Sequence, residues 1–265
     1  MSESLVLYEV KPPAIHIVLN RPDKRNALSR ALIGELQQAF ERAQADDSGR
    51  CVILSANGKV FCAGMDLAEL QGSLDIPAEE TPVWDDAFRL AKLYDFIYTL
   101  KKPTIAAVQG AAVAGGAGLV TVCDLAIAAQ EAKFGYPEVR RGLVAAMVMP
   151  HLLRHVGERM ARYLLLTGEL IDATQAFLAG LINEVVAPDS LTDHATNLAT
   201  SLAEGGPNAL TQTKALLHQF SHQAVSVEEA AKGSAAPRLT AECQQGLRAF
   251  FAKQPVPWAV PNEGG

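Results

Sequence analysis

The sequence predicts an α/β or α+β chain whose last quarter is helical. Short apolar runs rich in branched or small residues recur: AIHIVL at 14–19, CVILSA at 51–56, TIAAVQG at 104–110, DLAIAA at 124–129 and INEVVA at 182–187. Stretches with helical spacing separate them. After Pro188 the strand signals largely cease while helical patterns continue.

AIHIVL reads as a strand, and NRPDKRN supplies a polar turn after it. Leu32, Leu36 and Phe40 then recur every four residues opposite a wet face, so a helix follows, with Ser29 as its N-cap. CVILSA returns to strand character. NGKVFCAGMDLAEL at 57–70 begins as a turn and ends as a short helix, and residues 71–84, with Pro77 and Pro82, form a surface loop of the kind that borders binding sites. Leu90, Leu93 and Ile97 mark a helix that stops before Pro103. TIAAVQG and DLAIAA are buried strands on either side of a glycine-rich segment. Gly157–Leu166 and Asp172–Leu181 read as helices, the second capped by Asp172 and stopped near Gly180. Further helices cover about 191–203, 208–221 and 238–252, and the three prolines of the last eleven residues prevent a regular element there. These signals divide the chain into a core at 1–196 and a helical region at 197–265.

With 265 residues and 49% hydrophobic side chains, the chain can bury a substantial core. The net charge of -6 and the lack of a dense basic block argue against a general nucleic-acid surface. The apolar stretch 105–129 is interrupted by Gln109, Thr121 and Asp124, so it reads as buried core rather than a membrane span. MSESLVLYEV has no signal-peptide pattern, and Cys51, Cys62, Cys123 and Cys243 form neither a disulfide framework nor a CxxC metal pattern. A cytoplasmic, reducing location is expected. His151 with His155, and His218 with His222, are four apart but belong to no HExxH motif, so no metal site is expected.

QGAAVAGGAGL at 109–119 follows a strand and is unusually rich in glycine. It matches neither GxGxxG nor a Walker A loop, which leaves tight core packing or a backbone binding site. FCAGMDL at 61–67 is a second loop of this kind, with Asp66 a structural cap rather than an acid or base and Cys62 a packing thiol. Two such loops can converge and aim N–H donors at one carbonyl oxygen, which is the geometry of an oxyanion hole.

Taken together, LNRPDKRNAL at 19–28, FCAGMDL, QGAAVAGGAGL, CDLAIAA at 123–129, FGYPEVRRGL at 134–143 and QQGLRAFFAK at 244–253 resemble the crotonase, or enoyl-CoA hydratase and isomerase, superfamily. The ordered set spans residues from about 5 to 255. The resemblance implies a β-β-α spiral core, a coenzyme A thioester substrate with no redox or metal cofactor, and a C-terminal helical region that caps the site and builds a homotrimer or homohexamer. It places the oxyanion donors on the backbone N–H groups of Met65 and Gly115 and the catalytic carboxyl on Glu138, which can take and return a proton. It also places Lys24, Arg25, Ala63, Phe250 and Lys253 beside CoA. Arg140 and Arg141 are candidates for a substrate carboxylate or a CoA phosphate, or else for structural ion pairs.

The first glutamate of a two-glutamate hydratase falls on Gly118, which has no carboxyl. Relatives resembling methylglutaconyl-CoA and isohexenylglutaconyl-CoA hydratases also have glycine there. Syn-hydration of a trans-2-enoyl-CoA, branched or of glutaconyl type, is the first expectation. Enoyl-CoA isomerisation is the second, followed by another crotonase reaction such as decarboxylation or hydrolysis, and by a CoA-binding protein without catalysis.

Overall fold

The computed structural model describes residues 4–74, 76–77, 82–221 and 226–255. His222 and the segment 256–265 lie outside the described residues.

Among the described residues, ten strands divide between two sheets. β1 (Val6–Lys11), β2 (Ala14–Leu19), β3 (Cys51–Ala56), β5 (Thr104–Val108), β7 (Leu125–Ala129) and β10 (Glu184–Val186) lie side by side in that order. β1 and β2 are antiparallel and every other pair in this sheet is parallel. The smaller sheet runs β4 (Val60–Cys62), β6 (Ala111–Val113), β8 (Lys133–Gly135), β9 (Leu170–Asp172), with only β8 and β9 antiparallel.

The chain therefore repeats one move. β3 leads to β4 and then to α2 (Leu67–Gly72) and α3 (Val83–Thr99). β5 leads to β6 and α4 (Gly115–Val122), and β7 leads to β8, a 3-10 turn at Pro137–Arg141, and α5 (Met149–Thr167). Each round places one strand in the large sheet, one in the small sheet and a helical segment after them, which is the expected β-β-α spiral. The loops that leave the small sheet consequently come from three successive rounds and converge.

Strand alternation decides how the large sheet is buried. Val52 and Leu54 of β3 face the main core, which is closed by α1 (Arg30–Ala45), α3 and α4. Cys51 and Ile53 face the other way, against Leu191, Ala195 and Ala199 of α7 (Leu191–Glu204). The expected domain boundary at 196/197 falls inside α7. Beyond it come α8 (Pro207–Phe220), α9 (Val227–Ala235), a 3-10 turn at Ala236–Leu239 and α10 (Ala241–Phe251). α9 packs along α3, while Cys243 and Leu247 of α10 join Leu70 of α2 in a small separate cluster.

The expected caps have physical partners. Ser29 Oγ accepts from Leu32 N at 3.2 Å, and Asp172 and Gln175 form a reciprocal capping box at the start of α6 (Ala173–Leu178). Gly180 has φ 78°, a conformation that favours glycine. α5 is two helices that meet at a kink at Gly157 (φ 67°, ψ 170°); the second corresponds to the helix expected over Gly157–Leu166, and the first precedes it. Among the described residues no helix is long and apolar enough to cross a membrane.

Candidate active site

Two loops meet at one end of the small sheet. In the first, Leu28 pairs with Met65 in a parallel bridge: Leu28 N donates to the Gly64 carbonyl at 2.8 Å, and Asp66 N donates to the Leu28 carbonyl at 3.1 Å. In this pairing Leu28 uses the residues on either side of Met65, so the N–H of Met65 points to the opposite side. Asp66 anchors the loop. Its side chain accepts from Ala68 N at 2.9 Å as the N-cap of α2 and pairs with Arg21. Burial opposes its charge, but Arg21 and the cap bond together hold its carboxyl below the usual range.

The second loop enters α4 through Ala114, whose φ of 53° turns the chain sharply before Gly115. Gly64 has φ +85°, and a Cβ on it would lie 2.8 Å from the Ala114 Cβ and 3.2 Å from the Gly115 nitrogen. On Gly116 a Cβ would lie 2.2 Å from the Cys62 carbonyl oxygen. The glycines of both loops thus allow a backbone contact that side chains would prevent. Cys62 lies beneath them, buried, donating to the Asn26 carbonyl at 3.1 Å; burial pushes its thiol up to about 12, which suits packing and not nucleophilic attack.

Met65 and Gly115 line a cleft of about 800 Å³, and Glu138, on the 3-10 turn after β8, lines the same cleft. The remaining wall is mostly aliphatic, including Leu67, Leu90, Val144 and Met147. Glu138 Oε2 is enclosed, with no hydrogen-bond partner among the described residues. Burial lifts the carboxyl from 4.5 to about 7, an effect opposed by a backbone hydrogen bond and by the positive charges of Arg141 and Arg238. A carboxyl balanced in this way can both take and give a proton at neutral pH.

The Gly118 position is filled by another residue. A Cβ there would lie 2.5 Å from Tyr94 Oη and 2.7 Å from Val148 Cγ1. Tyr94 is buried on α3 and donates to the Gly115 carbonyl at 2.6 Å. Its phenol is held well above the usual range, first by burial and then by nearby negative groups that include Glu138. The station of a first glutamate is therefore occupied by a neutral hydroxyl committed to the backbone of the second loop.

The other expected contacts are spread more widely. Ala63 lines the cleft, and its N–H donates to the Arg25 carbonyl at 3.0 Å, so Lys24 and Arg25 stand exposed beside its rim. Arg141 also lines the cleft, and its guanidinium lies 4.3 Å from the Phe250 ring centroid, which brings Phe250 of α10 to the same side. Lys253 is exposed just past α10. Arg140 points elsewhere: it pairs with Glu169 on the surface and donates to the Thr167 carbonyl at 3.1 Å.

Tyr94 and Arg238 belong to the cleft but carry no motif in the sequence. Tyr94 sits within a helical pattern that reads as ordinary packing. Arg238 is the first residue of the helix expected at 238–252 but lies on the 3-10 turn before α10, next to α9, which packs along α3. Among the described residues no three His, Cys, Asp or Glu side chains gather as a metal site would require.

Known proteins resemble this chain in sequence and fold. The chain is similar to a Thermus thermophilus protein named "Putative enoyl-CoA hydratase", 42% identical over 90% of this chain and 94% of that protein. It is also similar to the 2,3-dehydroadipyl-CoA hydratase of Escherichia coli, 33% identical over 96% of this chain and 97% of the relative. A solved structure of an enoyl-CoA hydratase from Mycobacterium avium superposes with a TM-score of 0.82 at 32% identity, covering 97% of this chain and all of the other. The enoyl-CoA hydratase/isomerase family pattern matches residues 11–261, and the chain belongs to that family.

Proposed function

We propose that the protein hydrates trans-2-enoyl-CoA thioesters, with Glu138 as its one catalytic carboxyl. The observation that carries this reading is the pairing of a buried carboxyl, lifted to about 7, with the Met65 and Gly115 loops in one mostly aliphatic cleft. The thioester carbonyl docks on the N–H groups of Met65 and Gly115. The Glu138 carboxylate removes a proton from water as the water oxygen bonds to the β-carbon, and the displaced π electrons reach the thioester oxygen as an enolate. The two N–H donors stabilise that charge. The Glu138 carboxylic acid then returns the proton to the α-carbon on the same face, so water adds syn and the carboxylate is regenerated.

CoA runs out of the cleft past Ala63 and Arg25, with Lys24, Phe250 and Lys253 available to its adenine and phosphate end. An assembly of three or six copies, with the C-terminal helices between subunits, accords with the family resemblance, and the scattered cysteines accord with a cytoplasmic, reducing location. Gly118, which leaves one carboxyl where a two-glutamate hydratase has two, favours a second reading. In that reading Glu138 removes an allylic proton from a 3-enoyl-CoA and returns it at the far end of the allylic system. A panel of trans-2-enoyl-CoA, 3-enoyl-CoA and 3-methylglutaconyl-CoA separates the two, because hydration adds the mass of water and isomerisation leaves the mass unchanged. Hydration is expected. Movement of the double bond with no mass gain overturns it in favour of the second reading, and CoA binding with no turnover of any substrate favours a binding protein.

A further inference from the structure

The cleft contains a charge that the hydration scheme does not use. Arg238 lies on the 3-10 turn between α9 and α10, only 8% exposed, and lines the cleft together with Met65, Gly115 and Glu138. Its Nη2 donates to Met65 Sδ at 3.0 Å and to Ser234 Oγ at 3.2 Å, both uncharged acceptors. Among the described residues it takes part in no ion pair.

The acids nearest in effect do not neutralise it. Asp86 is already gripped by Arg30 through two bonds of 2.7 Å, one to each carboxylate oxygen. Glu138 is the other acid, and its proton is balanced near neutrality. Arg141, lining the same cleft, adds a second guanidinium whose Nε is enclosed without a hydrogen-bond partner among the described residues. The cleft thus contains two guanidinium groups against one partly protonated carboxyl in a mostly aliphatic wall. A buried positive charge without an anion is costly, and an anionic ligand that supplies the partner recovers that cost on binding.

We propose that Arg238 is the receptor for a carboxylate at the far end of the acyl chain, so that the cleft selects CoA thioesters of dicarboxylic acids over those that end in a methyl group. The planar guanidinium fork suits a carboxylate, and its contact with Met65 Sδ places it beside one of the oxyanion loops in the same cleft. This specificity role rests on the CoA-thioester reading of the cleft but does not depend on whether the reaction is hydration.

The test is therefore made on binding. Saturated thioesters cannot be hydrated, and glutaryl-CoA and pentanoyl-CoA differ only in a terminal carboxylate against a methyl. Calorimetric titration of the full-length protein is expected to give glutaryl-CoA a Kd lower by roughly tenfold to a hundredfold, as for a hydrogen bond to a charged group. Arg238→Met and Arg238→Gln, the second of which keeps donors near Ser234 without the charge, are expected to bring the two Kd values together, with urea unfolding verifying that both variants fold. Equal binding of the two thioesters by the parent protein overturns the proposal, as does a preference that survives in both variants. A shifted pH profile for turnover with the preference intact also overturns it, by showing that Arg238 acts only through Glu138. Failure of hydration with the binding preference intact sinks the hydratase reading and leaves this one standing.

Discussion

Replacing Glu138 by Gln is expected to abolish turnover and, above neutral pH, to make the protein more stable. In the folded chain burial raises this carboxyl from 4.5 to about 7. Between those values the folded state retains a proton that the unfolded chain releases, so the parent loses stability as pH rises through that window. A difference of about 2.5 units at 1.36 kcal/mol each amounts to about 3 kcal/mol, most of it accumulating between pH 5 and 7. Gln has the same shape and no proton to lose. Urea unfolding of parent and variant from pH 5 to 8 reads the effect as a difference, in which the other titrating groups cancel. The variant's advantage should widen with pH by about 3 kcal/mol and level off above pH 7. A difference that stays flat across the range refutes the buried-carboxyl account. The same ionisation should govern catalysis, with kcat/KM of the parent rising through about pH 7 as the carboxylate forms.

Other changes test the surrounding architecture. Gly118→Glu should not create a two-carboxyl site, because its Cβ meets Tyr94 Oη at 2.5 Å and Val148 Cγ1 at 2.7 Å; a loss of about 1–3 kcal/mol by urea unfolding is expected, partly recovered by adding Tyr94→Ala. Gly64→Ala places a side chain at φ +85° and 2.8 Å from the Ala114 Cβ. That strain, about 1–3 kcal/mol, falls on the contact between the two loops, so kcat should drop more than KM rises. Arg140→Ala removes an exposed ion pair with Glu169; calorimetric titration with CoA and urea unfolding should both stay near the parent, with stability within about 1 kcal/mol.

Much of the core was legible in the sequence because burial on both faces leaves an uninterrupted apolar run, as in CVIL and IAAV, and because Ser29 and Asp172 act locally as caps. Elements fixed by distant partners were harder to see. β1 is an edge strand that alternates buried and exposed residues, so Val6, Tyr8 and Val10 do not form a run. β8 and β9 are three residues each and exist by pairing with each other, and β8 also with β6. α9 is short, and its place is set by packing on α3.

The same division applies to the site. Met65, Gly115 and Glu138 lie in motifs whose glycine and proline content marks unusual backbone, and the structure brings all three to one cleft. Tyr94 and Arg238 reach it from helices remote in sequence, where one hydroxyl or one guanidinium looks like any other. The pairing of Arg140 with Glu169 was equally invisible, since Glu169 reaches the turn only after α5 has folded back.

In the proposed reaction one buried carboxyl, Glu138, adds water to an enoyl-CoA held by the Met65 and Gly115 loops. Turnover of a trans-2-enoyl-CoA in water labelled with oxygen-18, read by mass spectrometry, tests it most directly. The account predicts a 3-hydroxyacyl-CoA carrying one labelled oxygen at the β-carbon, formed by the parent and absent with Glu138→Gln, although that variant still binds CoA thioesters. An unlabelled product of unchanged mass, or equal labelling by parent and variant, would contradict it.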